Sequence, residues 1–149
     1  MPRFETRRRV PFTPDQMFKV VADVEQYPEF LPLCEGLHIE SRREKEESST
    51  LIATMDVGYK AIKESFKTKV DLNPLAHRID VTYLDGPFSH LENRWCFYKR
   101  ETGCEIEFYI NYAFRSAMLG LLMGKVFDTA FRKFSQSFED RAKEVYGRA

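Results

Sequence analysis

Three histidines, His38, His77 and His90, and three cysteines, Cys34, Cys96 and Cys104, are the side chains with the widest catalytic repertoire in this chain. Their spacing organises no reaction. There is no HExxH, GxSxG or P-loop pattern, and no CxxC pair to clip a zinc ion or start a disulfide framework. His38 lies among charged residues of a strand-like stretch, His77 in a turn, and His90 at a strand start. Cys34 reads as a small apolar wall residue and Cys96 faces the outer side of its strand. Three other polar groups stand out because they interrupt apolar rows. Glu64 lies between Ile62 and Phe66, Asn93 between Leu91 and Trp95, and Tyr112 between Ile110 and Phe114. A buried carboxylate must be paired, hydrated or protonated. Either these groups sit near strand ends, reaching water or pairing with Arg8 or Arg115, or they supply hydrogen bonds inside an otherwise apolar pocket. The second arrangement is that of a small-molecule site, with Asn93 and Tyr112 as donors to carbonyl or methoxy oxygens. No catalytic set, metal site or catalytic cofactor is expected, and the chain reads as a non-enzyme.

The elements that must hold these residues follow from periodicity. Residues 3–10 read as an edge strand. In "TPDQMFKVVADV", Thr13 is an N-cap and Pro14 takes the first helical position, predicting a helix over about 14–23 and a short helical turn near 25–30 before Pro32. From Leu37 the period changes to two, and "SRREKEES" reads as a solvated hairpin turn. Leu51, Ala53, Met55, Val57 and Tyr59 share one strand face, and Ile62, Phe66, Val70 and Leu72 share the next. Ile79, Val81 and Tyr83 make a fifth strand. Pairing Phe97 with Ile106 and Trp95 with Phe108 closes a hairpin around "RETG" and puts both apolar rows on one side.

The stretch from about Ser116 to Tyr146 reads as a long helix. Leu119, Met123, Val126, Phe127, Ala130, Phe134, Phe138 and Val145 form its apolar stripe, and Lys125, Asp128, Arg132, Gln136, Glu139 and Lys143 its polar side. Gly147 is the C-cap candidate. Between Ala117 and Met123 the helix is apolar all round, including Leu121 and Leu122. That turn is either covered by the N-terminal helices or an exposed apolar gate for membrane or partner. The sheet must bury its apolar face, and only the last helix is long enough to cover it. The expected fold is α+β: a curved antiparallel sheet of about seven strands around a long C-terminal helix, with two short helices after the first strand and a gap between helix and sheet.

Bulk properties narrow the function further. At 149 residues the chain fits a single domain, 1–149, large enough for a core without staples. Lys+Arg and Asp+Glu number 23 each, so no global field favours nucleic acid, and DNA is not expected as a partner. The 13 Phe and 7 Tyr fill a core or line an apolar cavity. No run reaches the roughly 20 apolar residues of a membrane span. "MPRFETRRRV" is arginine-rich, but Glu5 interrupts it, so an edge strand is preferred to a transit peptide. Odd, unpaired thiols fit a reducing compartment. The expected location is the bacterial cytoplasm, with peripheral visits to the inner face of the membrane.

"VVADVEQYPEFLPLC", "ESFKTKV", "GPFSHLENRWCF" and "FEDRAKEVYG" together resemble the coenzyme Q-binding START-domain family, within the polyketide cyclase/dehydrase and lipid-transport group. The resemblance covers about Val10 to Gly147. It implies a helix-grip fold whose cavity binds ubiquinone or a related isoprenoid lipid, as a carrier or chaperone supporting respiration. A close bacterial branch is described as a ribosome-association toxin that blocks subunit joining, and shares the first and last of these motifs. The ribosome is therefore the alternative partner, with "TRRRV" and Lys63, Lys67 and Lys69 as positive charge for phosphates. Strand parity and the resemblance together nominate Phe30, Leu31, Phe66, Leu91, Trp95, Phe108, Met123, Phe127 and Ala130 as pocket residues, with Glu64, Asn93 and Tyr112 as polar contacts. The loop of "DVEQYPEFLPLC" reads as a wall or lid of that pocket, or as a plain core plug.

Overall fold

The structure is a computed structural model describing residues 3–147. The first strand, β1 (Arg3–Val10), runs into helix α1 (Pro14–Ala22). Thr13 accepts a hydrogen bond from the Gln16 amide at 3.1 Å, and the Gln16 side chain accepts from the Thr13 amide at 2.9 Å. This reciprocal cap satisfies two of the amides a helix start leaves without partners. A 3-10 helix (Val24–Glu29) follows, anchored by the Tyr27 hydroxyl, which donates to the Val21 carbonyl.

Six strands then meander: β2 (Cys34–Glu44), β3 (Ser49–Tyr59), β4 (Ile62–Asn73), β5 (Arg78–Asp85), β6 (Phe88–Lys99) and β7 (Cys104–Phe114). They form one antiparallel sheet in the order β1-β7-β6-β5-β4-β3-β2. The β6–β7 register is the expected one, with Trp95 opposite Phe108 and Phe97 opposite Ile106. The second strand begins at Cys34, directly after the loop and three residues before the alternation becomes clear at Leu37. It continues through Glu44, so "SRRE" is strand and the turn shrinks to residues 45–48. Pairing of Arg42 and Arg43 with Leu51 and Thr50 extends the ladder past the point where charge suggested a turn.

Helix α2 (Ala117–Tyr146) starts at Ser116, whose side chain accepts from the Leu119 amide at 3.2 Å, and ends at Gly147, at φ 78°. Its 30 residues reach about 45 Å, enough to cross the whole sheet. Aromatic contacts fasten it: Phe138 meets Trp95 edge-on at 5.1 Å, Phe134 lies 6.1 Å from Phe108, and Phe131 lies 5.1 Å from Tyr112. Helix α1 packs against the far end of α2, where Phe12 neighbours Tyr146.

Two residues of α2 depart from the periodic reading. Glu139, placed on the polar side, is 8% exposed because Arg8 of β1 reaches it, and Val145, placed on the apolar stripe, is 55% exposed. The apolar first turn is not covered by the N-terminal helices. Met118, Leu121 and Leu122 are 71%, 87% and 58% exposed.

Candidate ligand-binding cavity

Alternation along the strands sends one row of each to the concave face under α2. From β3 come Ala53, Met55 and Val57, from β4 Phe66, Thr68 and Val70, and from β6 Leu91, Asn93 and Trp95. Phe127, Ala130, Phe131, Phe134 and Phe138 of α2 close the other side. Val24, Tyr27, Leu31, Pro32 and Leu33 wall one end. Together they enclose a cavity of about 100 Å³. For scale, an apolar cavity of about 150 Å³ accepts a benzene ring. A lipid with an isoprenoid tail therefore needs α2 or the end wall to move outward.

The "DVEQYPEFLPLC" stretch supplies that end wall. Leu33 adopts φ 69°, a left-handed conformation unusual for a bulky residue, and its carbonyl accepts from the Gly58 amide at 3.0 Å. At the opposite end Phe88 packs against Phe66, Phe114 and Phe127 at 5.5, 5.0 and 5.9 Å. This aromatic plug separates the cavity from the exposed first turn of α2. Gly86, at φ +146°, lets the β5–β6 connection press on Phe66, where an added Cβ would lie 2.5 Å from the Phe66 Cβ.

Seven nominated residues line the cavity: Leu31, Phe66, Leu91, Asn93, Trp95, Phe127 and Ala130. Five do not. Phe108, 1% exposed, is sealed between Trp95, Phe4 and Phe134. Tyr112 is fully buried among Phe88, Phe114 and Phe131, and its hydroxyl has no hydrogen-bond partner among the described residues. That burial pushes the Tyr112 pKa up to about 12. Met123 is buried in the core, outside the cavity lining. Phe30 stacks edge-on against Tyr27 and Phe138 behind the end wall, under the Arg141 guanidinium. Glu64 sits half-buried near the start of β4, opposite Val57 of β3. Neither Arg8 nor Arg115 pairs with these polar groups: Arg8 bonds Glu139 and Gln136, and Arg115 donates to the Phe88 carbonyl.

Parity reasoning missed Thr68 and Phe131. Thr68 shares the inner row of β4 with Phe66 and Val70, so the strand pattern itself held the signal. Phe131, 8% exposed, widens the helix stripe, packed against Tyr112, Phe127 and Phe134.

The reactive residue types take structural places. His77 bonds Asp15 at 2.8 Å and ties α1 to the turn before β5, and His90 bonds Asn111 at 3.0 Å across β6 and β7. Burial pushes the Cys34 and Cys104 thiols up to about 11, so both stay protonated near neutrality. Cys96 is on the outer face as expected, yet buried there beside Arg78, Tyr98 and Glu107. No group of three His, Cys, Asp or Glu side chains among the described residues is placed to hold a metal. No helix among them is long and apolar enough to cross a membrane.

Residues 10–139 match the family described as polyketide cyclase / dehydrase and lipid transport. The chain belongs to that family. Among its relatives, the ribosome association toxin RatA of Rickettsia prowazekii is 34% identical over 146 residues, covering 95% of this chain and 97% of the relative. The mitochondrial coenzyme Q-binding protein COQ10 homolog B of Xenopus laevis is 29% identical over 142 residues, covering 92% of this chain and 56% of the relative. The solution structure of an 18 kDa protein from Caulobacter crescentus is 37% identical, covers 99% of both chains and superposes with a TM-score of 0.80. For a polyketide cyclase/dehydrase and lipid transport family member, a sheet gripping a helix over an apolar cavity is the expected architecture.

Proposed function

We propose that this protein is a carrier of a hydrophobic ligand, not an enzyme, and that the ligand is ubiquinone or a related isoprenoid lipid used in respiration. The observation that carries this reading is the cavity lining. Of its polar side chains, the Tyr27 hydroxyl is already bonded to the Val21 carbonyl, leaving Thr68, Asn93 and the Trp95 indole in an otherwise hydrocarbon wall. Such a wall binds an apolar body and a small polar head. The quinone assignment draws on the coenzyme Q-binding relative and on the aromatic side chains that would stack against a ring. Loading takes place at a membrane surface. Met118, Leu121 and Leu122 project from one face of α2 directly outside the aromatic plug, with Arg115 and Lys125 beside them for anionic headgroups.

The test is to express the protein in cells that make ubiquinone, purify it without detergent, and identify extracted lipids by mass spectrometry. A roughly stoichiometric quinone, lost in a folded Trp95→Asp or Ala130→Phe variant, supports the reading. Absence of any isoprenoid lipid from the folded wild type overturns it.

A second reading, association with the large ribosomal subunit, is favoured by the relatives named ribosome association toxin, which cover nearly the whole chain. The outer sheet face offers a matching surface. Arg94 and Arg3 lie over the Tyr109 ring at 4.5 and 5.5 Å, and Arg7 and Arg100 over Tyr98 at 5.5 and 5.6 Å. Arginine interleaved with aromatic rings suits an RNA surface, although Glu105 and Glu107 take up part of the charge. Co-sedimentation with isolated subunits, and its loss in Arg94→Glu with the cavity intact, separates this reading from the first.

A further inference from the structure

Beyond Tyr27, the cavity lining holds a polar side chain whose direction is fixed. Asn93 of β6 donates one of its two amide hydrogens to the Tyr109 carbonyl at 2.9 Å. That bond sets the amide orientation, because a flipped amide would place Oδ1 against another carbonyl oxygen. Oδ1 is left with no partner among the described residues, on a side chain that lines the cavity. An amide oxygen only accepts.

Two further groups complete the polar set. Trp95, two residues along the same face, carries an indole N–H, which only donates and has no partner among the described residues. Thr68, 8% exposed and set between Phe66 and Val70 on β4, carries a hydroxyl likewise without a partner. A hydroxyl rotates to donate or accept, so Thr68 adapts to either kind of ligand group and does not discriminate.

We infer that the cavity selects ligands by a hydroxyl group, so that of a quinone and its quinol it binds the quinol more tightly. A quinone offers only acceptor oxygens. Thr68, Trp95 and the second Asn93 amide hydrogen can donate to them, but Asn93 Oδ1 is then left with no donor to accept from, in a wall with little other polar surface. A quinol hydroxyl donates to Asn93 Oδ1 and still accepts from a neighbouring donor. Leaving an acceptor unpaired once a ligand has displaced its water is the costly case, and a site built for a hydroxyl rejects analogues lacking it. The expected preference is roughly tenfold to hundredfold.

This inference rests on the cavity being a ligand site. The experiment is an anaerobic titration with a short-chain ubiquinone and, separately, with its chemically reduced quinol. The fluorescence of Trp95, the chain's one tryptophan, reports binding, and calorimetry provides a readout free of quenching differences. The expected result is a quinol at least about tenfold tighter in the wild type. Asn93→Leu brings the ratio close to one, and Thr68→Val weakens both forms by a similar factor. Equal affinities in the wild type, or tighter quinone binding, overturn the inference and leave the carrier reading standing. Binding of neither form overturns both.

Discussion

Arg8 of β1 bonds Glu139 of α2 at 2.7 Å, joining residues 131 positions apart in the chain. The pair pins the edge strand to the helix that covers the cavity. Glu139 is nearly buried while Arg8 is partly exposed, so the two ends of the contact are not equivalent. Arg8→Ala would leave a carboxylate short of its main partner, with Lys143 at 3.8 Å as the remaining cation among the described residues. The expected loss is about 1–3 kcal/mol by urea titration, discounted from fully buried pairs because Arg8 reaches water. Changing both residues to leucine should recover most of it. A double variant as unstable as Arg8→Ala would show that the pair is not what holds β1 to α2.

Ala53 and Ala130 both line the cavity, one from the sheet and one from the helix. Replacing either with leucine adds three carbons to a space of about 100 Å³. Ligand uptake should fall at least tenfold, while the change in stability stays within about 1–2 kcal/mol of either sign. Uptake is read by lipid extraction and stability by thermal unfolding. Normal uptake in a folded Ala53→Leu variant would place the ligand elsewhere.

Leu121 and Leu122 contribute little to the core, so Leu121→Glu with Leu122→Glu should change stability by no more than about 0.5 kcal/mol. Flotation with anionic vesicles should drop several-fold in the same variant, and raised salt should weaken the wild type through Arg115 and Lys125. Unchanged flotation would remove this turn of α2 from the membrane reading.

The buried thiols set a pH dependence. Both Cys34 and Cys104 have pKa values raised from 9.0 to about 11 in the folded protein, by desolvation. Above pH 9 the unfolded chain loses these protons while the folded chain keeps them, so unfolding gains. Their stabilising contribution is whole below pH 9 and declines as pH rises toward 11. Thermal unfolding across that window should show a falling midpoint, and the fall should be shallower in Cys34→Ala. Iodoacetamide at pH 8 should label the native protein far more slowly than the urea-unfolded chain.

How far the site could be read in advance is clearest on β6 and β7. Two-residue alternation placed Leu91, Asn93, Trp95, Phe108 and Tyr112 on one face, and all five are there. Alternation says which face a side chain takes, not what lies above it. Phe134 and Phe131 descend onto Phe108 and Tyr112 and seal them, whereas Asn93 and Trp95 keep a border on the cavity, Trp95 with Phe138 packed against its edge. Glu64 shows the same limit along a strand: its parity matches that of Phe66, but it sits at the start of β4 opposite Val57.

The element order, the β6–β7 register, the two ends of the last helix and the apolar row of each strand were all legible in the order of residues along the chain. These follow from local rules: capping chemistry, periods of 2 and 3.6, and the pairing of adjacent strands across a short turn. The burial of Glu139, the exposure of Leu121 and the choice of inward residues that border open space emerge only when the elements pack. Those outcomes depend on where a curved sheet meets a straight helix, and on a strand and a helix from opposite ends of the chain lying side by side. No local pattern encodes a distance between surfaces that meet only after folding.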